Sequence, residues 1–221
     1  MLLISLAADL CDAGIPAGFV ICIRFRMAWK HRRAVLALHR LIIFSVRCRF
    51  MKSLYLLRHA KSSWDDPFAS DRERPLNARG EKSAPLMGQR FCQRGENIDL
   101  ILSSPAKRAR DTAALFASEC RYLVDEILLN EALYFLGPGS IEELIRLQSS
   151  RQSSMMLVFH NPDITTLVNS LDYRFHIDNV PTCGLLKFDC DIKCWSEWSP
   201  GCNRFEYYDY PKNISNEVVR S

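Results

Sequence analysis

Polar side chains follow two short apolar runs of the sequence, at the point where each run ends. Arg58 and His59 come directly after residues 54–57, and His160 comes directly after residues 155–159. A cation or an imidazole at the end of a buried strand is costly unless that end opens into a polar pocket. In open α/β sheets, such pockets lie at the carboxyl ends of the strands. A histidine nucleophile and an arginine that binds phosphate oxygens would suit phosphoryl transfer at this edge.

A third apolar run, residues 98–102, leads into Ser104, Pro105 and Arg108. Ser104 is a suitable helix N-cap and Pro105 a suitable first helical residue, which would place Arg108 in the first turn. A lone histidine after a strand is more often an ordinary surface or core residue than a catalyst. Three segments that lead to one sheet edge favour a shared site instead.

Alternating strands and helices must position these side chains. Further strands are predicted at residues 184–188 and around Trp195. Predicted helices cover residues 77–94, 105–120, 140–147 and 163–171. A capping box begins the third helix at Ser140, and Pro85 could kink the first or mark its start. The alternation predicts an α/β three-layer sandwich with a mostly parallel central sheet flanked by helices.

Charge is distributed unevenly along the 221 residues. Residues 1–50 hold eight Lys or Arg against two Asp, a balance of +6, so the total of +4 leaves −2 for residues 51–221. A mildly acidic domain argues against nucleic-acid binding. We expect residues 1–50 to be a basic N-terminal extension outside the fold, and residues 51–221 to be the functional domain. The extension could be an amphipathic segment on an anionic membrane or an over-extended reading frame.

The cysteines give a prediction of the compartment. The chain has nine, an odd number with irregular spacing, and its N-terminus lacks the basic start of a secretory signal. Reduced thiols in the cytoplasm are therefore the favoured interpretation, with no metal site and no membrane span. We also expect a monomer.

Four segments, LYLLRHAKSSW, SDRERPLNARG, DLILSSPAKRARDTA and LVFHNP, resemble the histidine phosphatase superfamily when taken in this order. They most resemble its SixA-type phosphohistidine phosphatase branch, over residues 51 to about 211. The resemblance implies a phosphoglycerate-mutase-like fold. Two residues depart from the superfamily pattern. Ala60 replaces a glycine, as SixA-like proteins commonly do, and Phe159 replaces another, where its ring could crowd the pocket or point into the core.

The resemblance implies a role for each strand-end residue. His59 would be the nucleophile, with one ring nitrogen free and the other oriented by a backbone carbonyl, and it would be transiently phosphorylated. Arg58 and Arg108 would bind the phosphoryl oxygens, and His160 would donate to an oxygen whose charge grows in the transition state. This scheme requires no metal and no cofactor.

Further residues could complete the pocket. Arg74 would be an additional phosphate donor, and Asp71 could protonate a leaving group, position water or belong to a solvated charge run. Glu131 is a rival acid, because other branches of the superfamily place a glutamate in this region. Asn161 would support the pocket from behind. These four are predicted substrate-binding residues.

The resemblance implies a metal-independent phosphohistidine phosphatase. The predicted substrate is a phosphorylated histidine on a phosphocarrier or signalling protein, because the chain lacks the insertions that form sugar-phosphate pockets. Three alternatives stay open at this point: a small-molecule phosphomonoesterase, a mutase and a non-catalytic phosphate-binding module.

Overall fold

A computed structural model describes residues 51–213 and 219–220, so the predicted extension at residues 1–50 lies outside the described residues. The described strands form one sheet in the order β3-β2-β4-β1-β5-β6-β7. They are β1 (Met51–Arg58), β2 (Leu100–Ser103), β3 (Leu128–Leu129), β4 (Ser154–Phe159), β5 (Leu185–Asp191), β6 (Asn203–Asp209) and β7 (Val219–Arg220).

The strand directions agree with the prediction. Strands β3, β2, β4 and β1 pair in parallel, and β5, β6 and β7 are then added in antiparallel pairings. Strand β6 therefore runs in the same direction as β1, so that β1, β2, β3, β4 and β6, five of the seven described strands, share one direction. The predicted mostly parallel sheet is confirmed.

Helices cover both faces of the sheet. They are α1 (Ala78–Gln93), α2 (Lys107–Glu119), α3 (Pro138–Arg146) and α4 (Asp163–Leu171). Along β1, Leu54 and Leu56 pack into the core cluster that contains residues of α3 and α4, whereas Tyr55 and Leu57 pack into the cluster of α1 and α2. Both faces of β1 are buried, which explains why its sequence is apolar without alternation. None of the described helices is long and apolar enough to cross a membrane.

Strand register places three strand ends side by side. Arg58 is the partner of Phe159 across the β1–β4 pair, and the His59 amide donates to the Phe159 carbonyl at 3.0 Å. On the other side of β4, the Ser104 amide donates to the Val158 carbonyl at 2.9 Å. The residues that follow β1, β2 and β4 therefore meet at the carboxyl edge, as predicted.

Phe159 points away from this edge into the core. Its side chain is fully buried in the cluster that contains the apolar residues of α3 and α4. The ring therefore does not crowd the pocket, and of the two orientations left open by the sequence, the core orientation is the one observed.

Three local predictions were wrong. Helix α2 begins at Lys107 with Ala106 as its N-cap, two residues later than predicted; the Ser104 hydroxyl bonds to His160 and accepts from the Ala106 amide only at 3.3 Å. Helix α3 begins with Pro138, so Ser140 lies inside it and donates its hydroxyl to the Leu136 carbonyl at 3.2 Å. Trp195 lies in a single 3₁₀ turn rather than in a strand.

Helix α1 covers almost the whole of its predicted range, residues 77–94. The Asn77 side chain caps it by accepting from the amides of Arg79 and Gly80. Pro85 lies within the helix and neither starts nor ends it. Gly95 follows the last turn with a φ of +73°, the left-handed conformation that glycine adopts without strain.

Candidate active site

Two histidines and an arginine lie buried at the junction of the three strand ends. The ring centroids of His59 and His160 are 4.9 Å apart, and their residues are 8% and 1% exposed. Arg108, in the first turn of α2, is 2% exposed. A buried cation beside two imidazoles is stable only if an anion or strong acceptors are close.

Hydrogen bonding fixes the tautomer of His59. Its Nδ1 lies 2.7 Å from the backbone carbonyl of Ala60, which can only accept. Nδ1 therefore carries the proton, and the lone pair is on Nε2. The Ala60 amide in turn donates to the Thr112 hydroxyl at 2.9 Å, and that hydroxyl donates to the Arg108 carbonyl at 2.6 Å. This chain ties the end of β1 to the first turn of α2.

Burial keeps His59 neutral. It lowers the pKa of His59 to about 3; the bond to the Ala60 carbonyl opposes this shift, and the charges of Arg108, Arg58 and Arg74 add to it. At neutral pH the ring is thus uncharged, and Nε2 has a free lone pair. These are the requirements for a histidine that attacks phosphorus.

His160 presents its other nitrogen to the pocket. Its Nε2 lies 2.8 Å from the Ser104 hydroxyl, which already accepts from the Ala106 amide at 3.3 Å. The hydroxyl can donate its proton to Nε2 of His160, and the ring proton then lies on Nδ1. That nitrogen is buried without a partner among the described residues. It is a donor that a phosphoryl oxygen could satisfy.

The pKa of His160 is also lowered, to about 2, by burial and by the neighbouring His59, Arg108 and Arg58. An uncharged ring can still donate from Nδ1. The contribution of His160 to phosphate binding would thus be a neutral hydrogen bond, and positive charge would come from the arginines.

Arg58 is anchored at one end of its side chain. Nη1 donates to the Val180 carbonyl at 2.6 Å, whereas Nε is buried without a partner among the described residues. Asn161 donates to the same carbonyl at 3.3 Å and to Asn179 Oδ1 at 2.6 Å. The predicted support residue Asn161 therefore lies behind Arg58 and holds the segment that positions it.

Asp71 is the hub of the arginine cluster. Arg108 donates through Nη2 to its carboxylate at 2.9 Å and through Nη1 to its backbone carbonyl. The carboxylate also accepts from Arg74 at 3.1 Å and from the Tyr134 hydroxyl at 3.0 Å. Burial raises the pKa of Asp71, but the bonds and charges of these donors outweigh it, and the pKa lies below its usual range. Asp71 is therefore ionised at neutral pH.

Arg74 is held in place on several sides. Besides Asp71, it donates to the Ser62 hydroxyl at 2.7 Å, and its guanidinium carbon lies 3.4 Å from the ring centroid of Trp64. Its Nε is buried without a partner among the described residues. The role of Arg74 as a further phosphate donor stays a prediction, and Nε is the donor that would fulfil it.

Glu131 is not part of this hub. Its side chain is 64% exposed and forms a 2.6 Å ion pair with Arg72. Of the two predicted acids, Asp71 is thus joined to the arginines of the pocket, and Glu131 pairs with the exposed Arg72, which follows Asp71 in the sequence.

Four residues of the site were not predicted as such. Ser104 and Thr112 orient the histidines, and Tyr134 and Phe135 flank His160 with ring centroids at 5.6 Å and 4.9 Å. Ser104 and Thr112 fit local helix rules equally well, and Tyr134 and Phe135 lie in a segment without apolar periodicity. No local pattern distinguishes them as site residues.

The lowered pKa values predict an acid-sensitive fold. Both histidines take up protons more readily when unfolded, with a pKa of 6.5, than when folded. Stability is thus fully present above pH 6.5 and is lost as pH falls toward 3, at up to about 1.4 kcal/mol per pH unit for each histidine. Between pH 7 and pH 5 we expect the free energy of unfolding to fall by about 4 kcal/mol in total.

Urea unfolding without phosphate, at pH 7 and pH 5, would measure this fall. His160→Gln should lose about half as much as the wild type over the same interval. Asp71 and Asp172 contribute little to the change between pH 7 and pH 5. Their folded pKa values lie below the unfolded value of 3.8, so they affect stability mainly below this pH interval. An equal fall in both proteins would mean that His160 is protonated in the folded state.

Comparisons with known proteins agree with this geometry. The sequence model of the histidine phosphatase superfamily (branch 1) matches residues 54–169. An uncharacterised chloroplastic protein of Arabidopsis thaliana is 32% identical over 117 residues, 53% of this chain and 52% of that protein. An uncharacterised protein of Mycobacterium tuberculosis is 29% identical over 167 residues, 71% of this chain and 100% of that protein. The chain thus spans about half of the plant protein and all of the mycobacterial one.

Solved structures share the fold. The crystal structure of SixA from Agrobacterium tumefaciens, described as a candidate phosphohistidine phosphatase, is 27% identical with a TM-score of 0.60. The match covers 72% of this chain and 98% of that one. A protein histidine phosphatase SixA in complex with tungstate has a TM-score of 0.62 at 21% identity, over 73% of this chain and 99% of that one.

Proposed function

The chain belongs to the histidine phosphatase superfamily, and we propose that it removes the phosphoryl group from phosphohistidine on another protein. The observation that carries this proposal is the pair of buried histidines, each with one ring nitrogen bonded and the other free. Nε2 of His59 has a free lone pair, and Nδ1 of His160 is buried without a partner among the described residues, where a ring proton would be an unused donor. Arg58, Arg74 and Arg108 surround them, and their positive charge would balance a phosphoryl dianion.

The reaction would take place in two displacements. Nε2 of His59 attacks phosphorus as the bond from phosphorus to the substrate ring breaks. The electron pair of that bond stays on the departing nitrogen, and a proton carried by the other ring nitrogen of the substrate lets the ring leave as neutral imidazole. The Nδ1 proton of His59 remains directed at the Ala60 carbonyl, which stabilises the charge that the ring gains. Water then attacks the phosphorylated His59 and releases inorganic phosphate, and the ring returns to its neutral state.

The guanidinium groups and His160 act on the equatorial oxygens in both steps. Arginine suits this role because its planar donors match two phosphate oxygens at once. Since these donors are fixed before substrate binds, little reorganisation is needed in the transition state.

Proton supply favours a nitrogen-linked substrate. Asp71 is ionised, Glu131 is exposed and paired with Arg72, and burial, together with the bond to Asp71, raises the pKa of Tyr134. Asp71 and Tyr134 therefore offer no readily released proton at neutral pH, and Glu131 is engaged with Arg72 instead of the pocket arginines. An imidazole leaves without strong acid catalysis, whereas a serine alkoxide needs it. The likeness to SixA from Agrobacterium supports the same substrate class.

Turnover of two substrates tests this function. We expect kcat/KM for a phosphohistidine protein to exceed that for a phosphoserine peptide by at least about 10²-fold, the usual contribution of a general acid. Phosphate release would be measured at equal substrate concentrations, with His59→Ala protein as the control for contaminating phosphatases. A preference for sugar phosphates would instead indicate a small-molecule phosphomonoesterase, and binding without turnover would indicate a phosphate-binding module. The signalling role, cytoplasmic location and monomeric state stay predictions from the sequence.

A further inference from the structure

Phe135 has an unusual backbone for a bulky residue. Its φ is +56°, in the left-handed region that glycine favours, and the residue is 46% exposed. Both features are unfavourable, because the backbone is strained and an apolar ring is in contact with water. Strain of this kind is commonly retained at binding sites.

Contacts with the catalytic pocket hold the ring in this position. Phe135 stacks on His160 with centroids 4.9 Å apart and planes inclined by 29°. Tyr134 contacts both rings, at 4.9 Å from Phe135 and 5.6 Å from His160. The Tyr134 hydroxyl bonds to Asp71, which also accepts from Arg108. Phe135 is thus held against the phosphate-binding groups in two ways. It stacks on His160, and it contacts Tyr134, whose hydroxyl bonds to Asp71.

The leaving group must lie on the exposed side of these buried rings. In the proposed reaction, the phosphoryl group lies between Nε2 of His59 and Nδ1 of His160, and both residues are almost fully buried. In-line attack by His59 directs the leaving group away from that ring, toward the solvent. Phe135 contacts His160 and is itself half exposed, so its ring borders the space into which the leaving group points.

We propose that Phe135 determines substrate specificity by stacking on the imidazole ring of the departing phosphohistidine. This inference rests on the proposed function. Two aromatic rings pack favourably when their centroids are 4.5–7 Å apart, the range already found between Phe135 and His160. A serine or threonine leaving group has no ring to stack. Phe135 would therefore favour phosphohistidine in addition to the preference that arises from proton supply.

A comparison of two nitrogen-linked substrates isolates the stacking. A phosphohistidine peptide has an aromatic leaving group, whereas phosphoramidate has the same phosphorus–nitrogen bond and no ring. The quantity to measure is the ratio of kcat/KM for the two substrates. In Phe135→Leu we expect this ratio to fall about three- to tenfold, the range that corresponds to one aromatic pair. Any displacement of His160 in the variant would affect both substrates and cancel in the ratio.

Two control variants show whether the ring is responsible. Phe135→Tyr keeps an aromatic face and should retain the wild-type ratio. Leu136→Ala removes the neighbouring apolar side chain, which is 60% exposed, and should also retain it. Equal losses on both substrates in Phe135→Leu would mean that Phe135 only supports His160, and the proposal would be wrong.

Failure of the proposed function can be distinguished from failure of this inference. If the wild-type protein does not hydrolyse phosphohistidine, the same ratio can be measured with phenyl phosphate and methyl phosphate. A fall in the aryl-to-alkyl ratio in Phe135→Leu would still support a stacking surface for aromatic leaving groups. An unchanged ratio would overturn it.

Discussion

Replacing His59 with alanine should reduce turnover by at least about 10⁴-fold, the order of loss seen when a nucleophile is removed from a comparable catalytic unit. The reason is geometric as well as chemical. Nε2 of His59 has a free lone pair because the Ala60 carbonyl fixes the proton on Nδ1 and burial keeps the ring neutral. Alanine removes the attacking atom and leaves the arginines in place, so substrate binding should persist while phosphoryl transfer stops.

Transfer of a radiolabelled phosphoryl group, followed by denaturation in alkali, would identify the intermediate. Wild-type protein mixed with a radiolabelled phosphohistidine substrate and denatured in alkali should retain label on His59, because phosphohistidine is stable in base and labile in acid. His176→Ala is the matched control, since that imidazole is 71% exposed and pairs with Asp178 on the surface. It should be labelled and active like the wild type. Full activity in His59→Ala, or label at another residue, would exclude His59 as the nucleophile.

The strand ends could be predicted because each depends on a local feature. An apolar run that stops at a charged or imidazole side chain predicts a buried strand with a polar end, and parallel strands bring such ends to one edge. Arg58, His59 and His160 were found in this way. The position of Arg108 was predicted from a helix that begins just after the apolar run at residues 98–102. That helix starts two residues later than predicted, and Arg108 still lies in its first turn.

The connections among these residues depend on distant parts of the chain. Ser104 bonds to His160, 56 residues away, although its local sequence is also typical of a helix cap. Asp71 bonds to Tyr134, 63 residues away, and nothing near either residue indicates that contact. Phe159 lies in a strand buried on both faces, so apolar alternation could not show which way its ring points. Local rules identify the side chains that are costly to bury, and tertiary packing decides their partners.

The Asp71 hub changes the interpretation of the acidic residues. A carboxylate that accepts from Arg108, Arg74 and Tyr134 is a poor proton donor at neutral pH. Its more direct role is to hold the guanidinium groups in register before phosphate binds. This positioning of the arginines was not predicted from the sequence, and it agrees better with the contacts than general acid catalysis does.

Arg108→Ala should lower kcat/KM by about 10²–10³-fold, the loss expected when one preformed donor to the transition state is removed. Arg108 is almost fully buried, and its guanidinium is oriented by both the backbone and the side chain of Asp71. Its charge therefore acts in a water-poor site, where electrostatic stabilisation is stronger than on the surface. Arg108→Lys should recover only part of the loss, because a lysine ammonium cannot donate in the same plane to Asp71 and to a phosphoryl oxygen.

Arg110→Ala is the matched control for this effect. Arg110 lies on the same helix, is 41% exposed and makes only a 3.8 Å ion pair with Glu73 among its described salt bridges. Removing it changes the net charge by the same amount, so it should alter kcat/KM by less than about threefold if long-range attraction is small. Similar losses in both alanine variants, or full activity in Arg108→Lys, would mean that Arg108 acts only through its charge. A large loss confined to Arg108→Ala, with circular dichroism that matches the wild type, would place its donors on the transferring phosphoryl group.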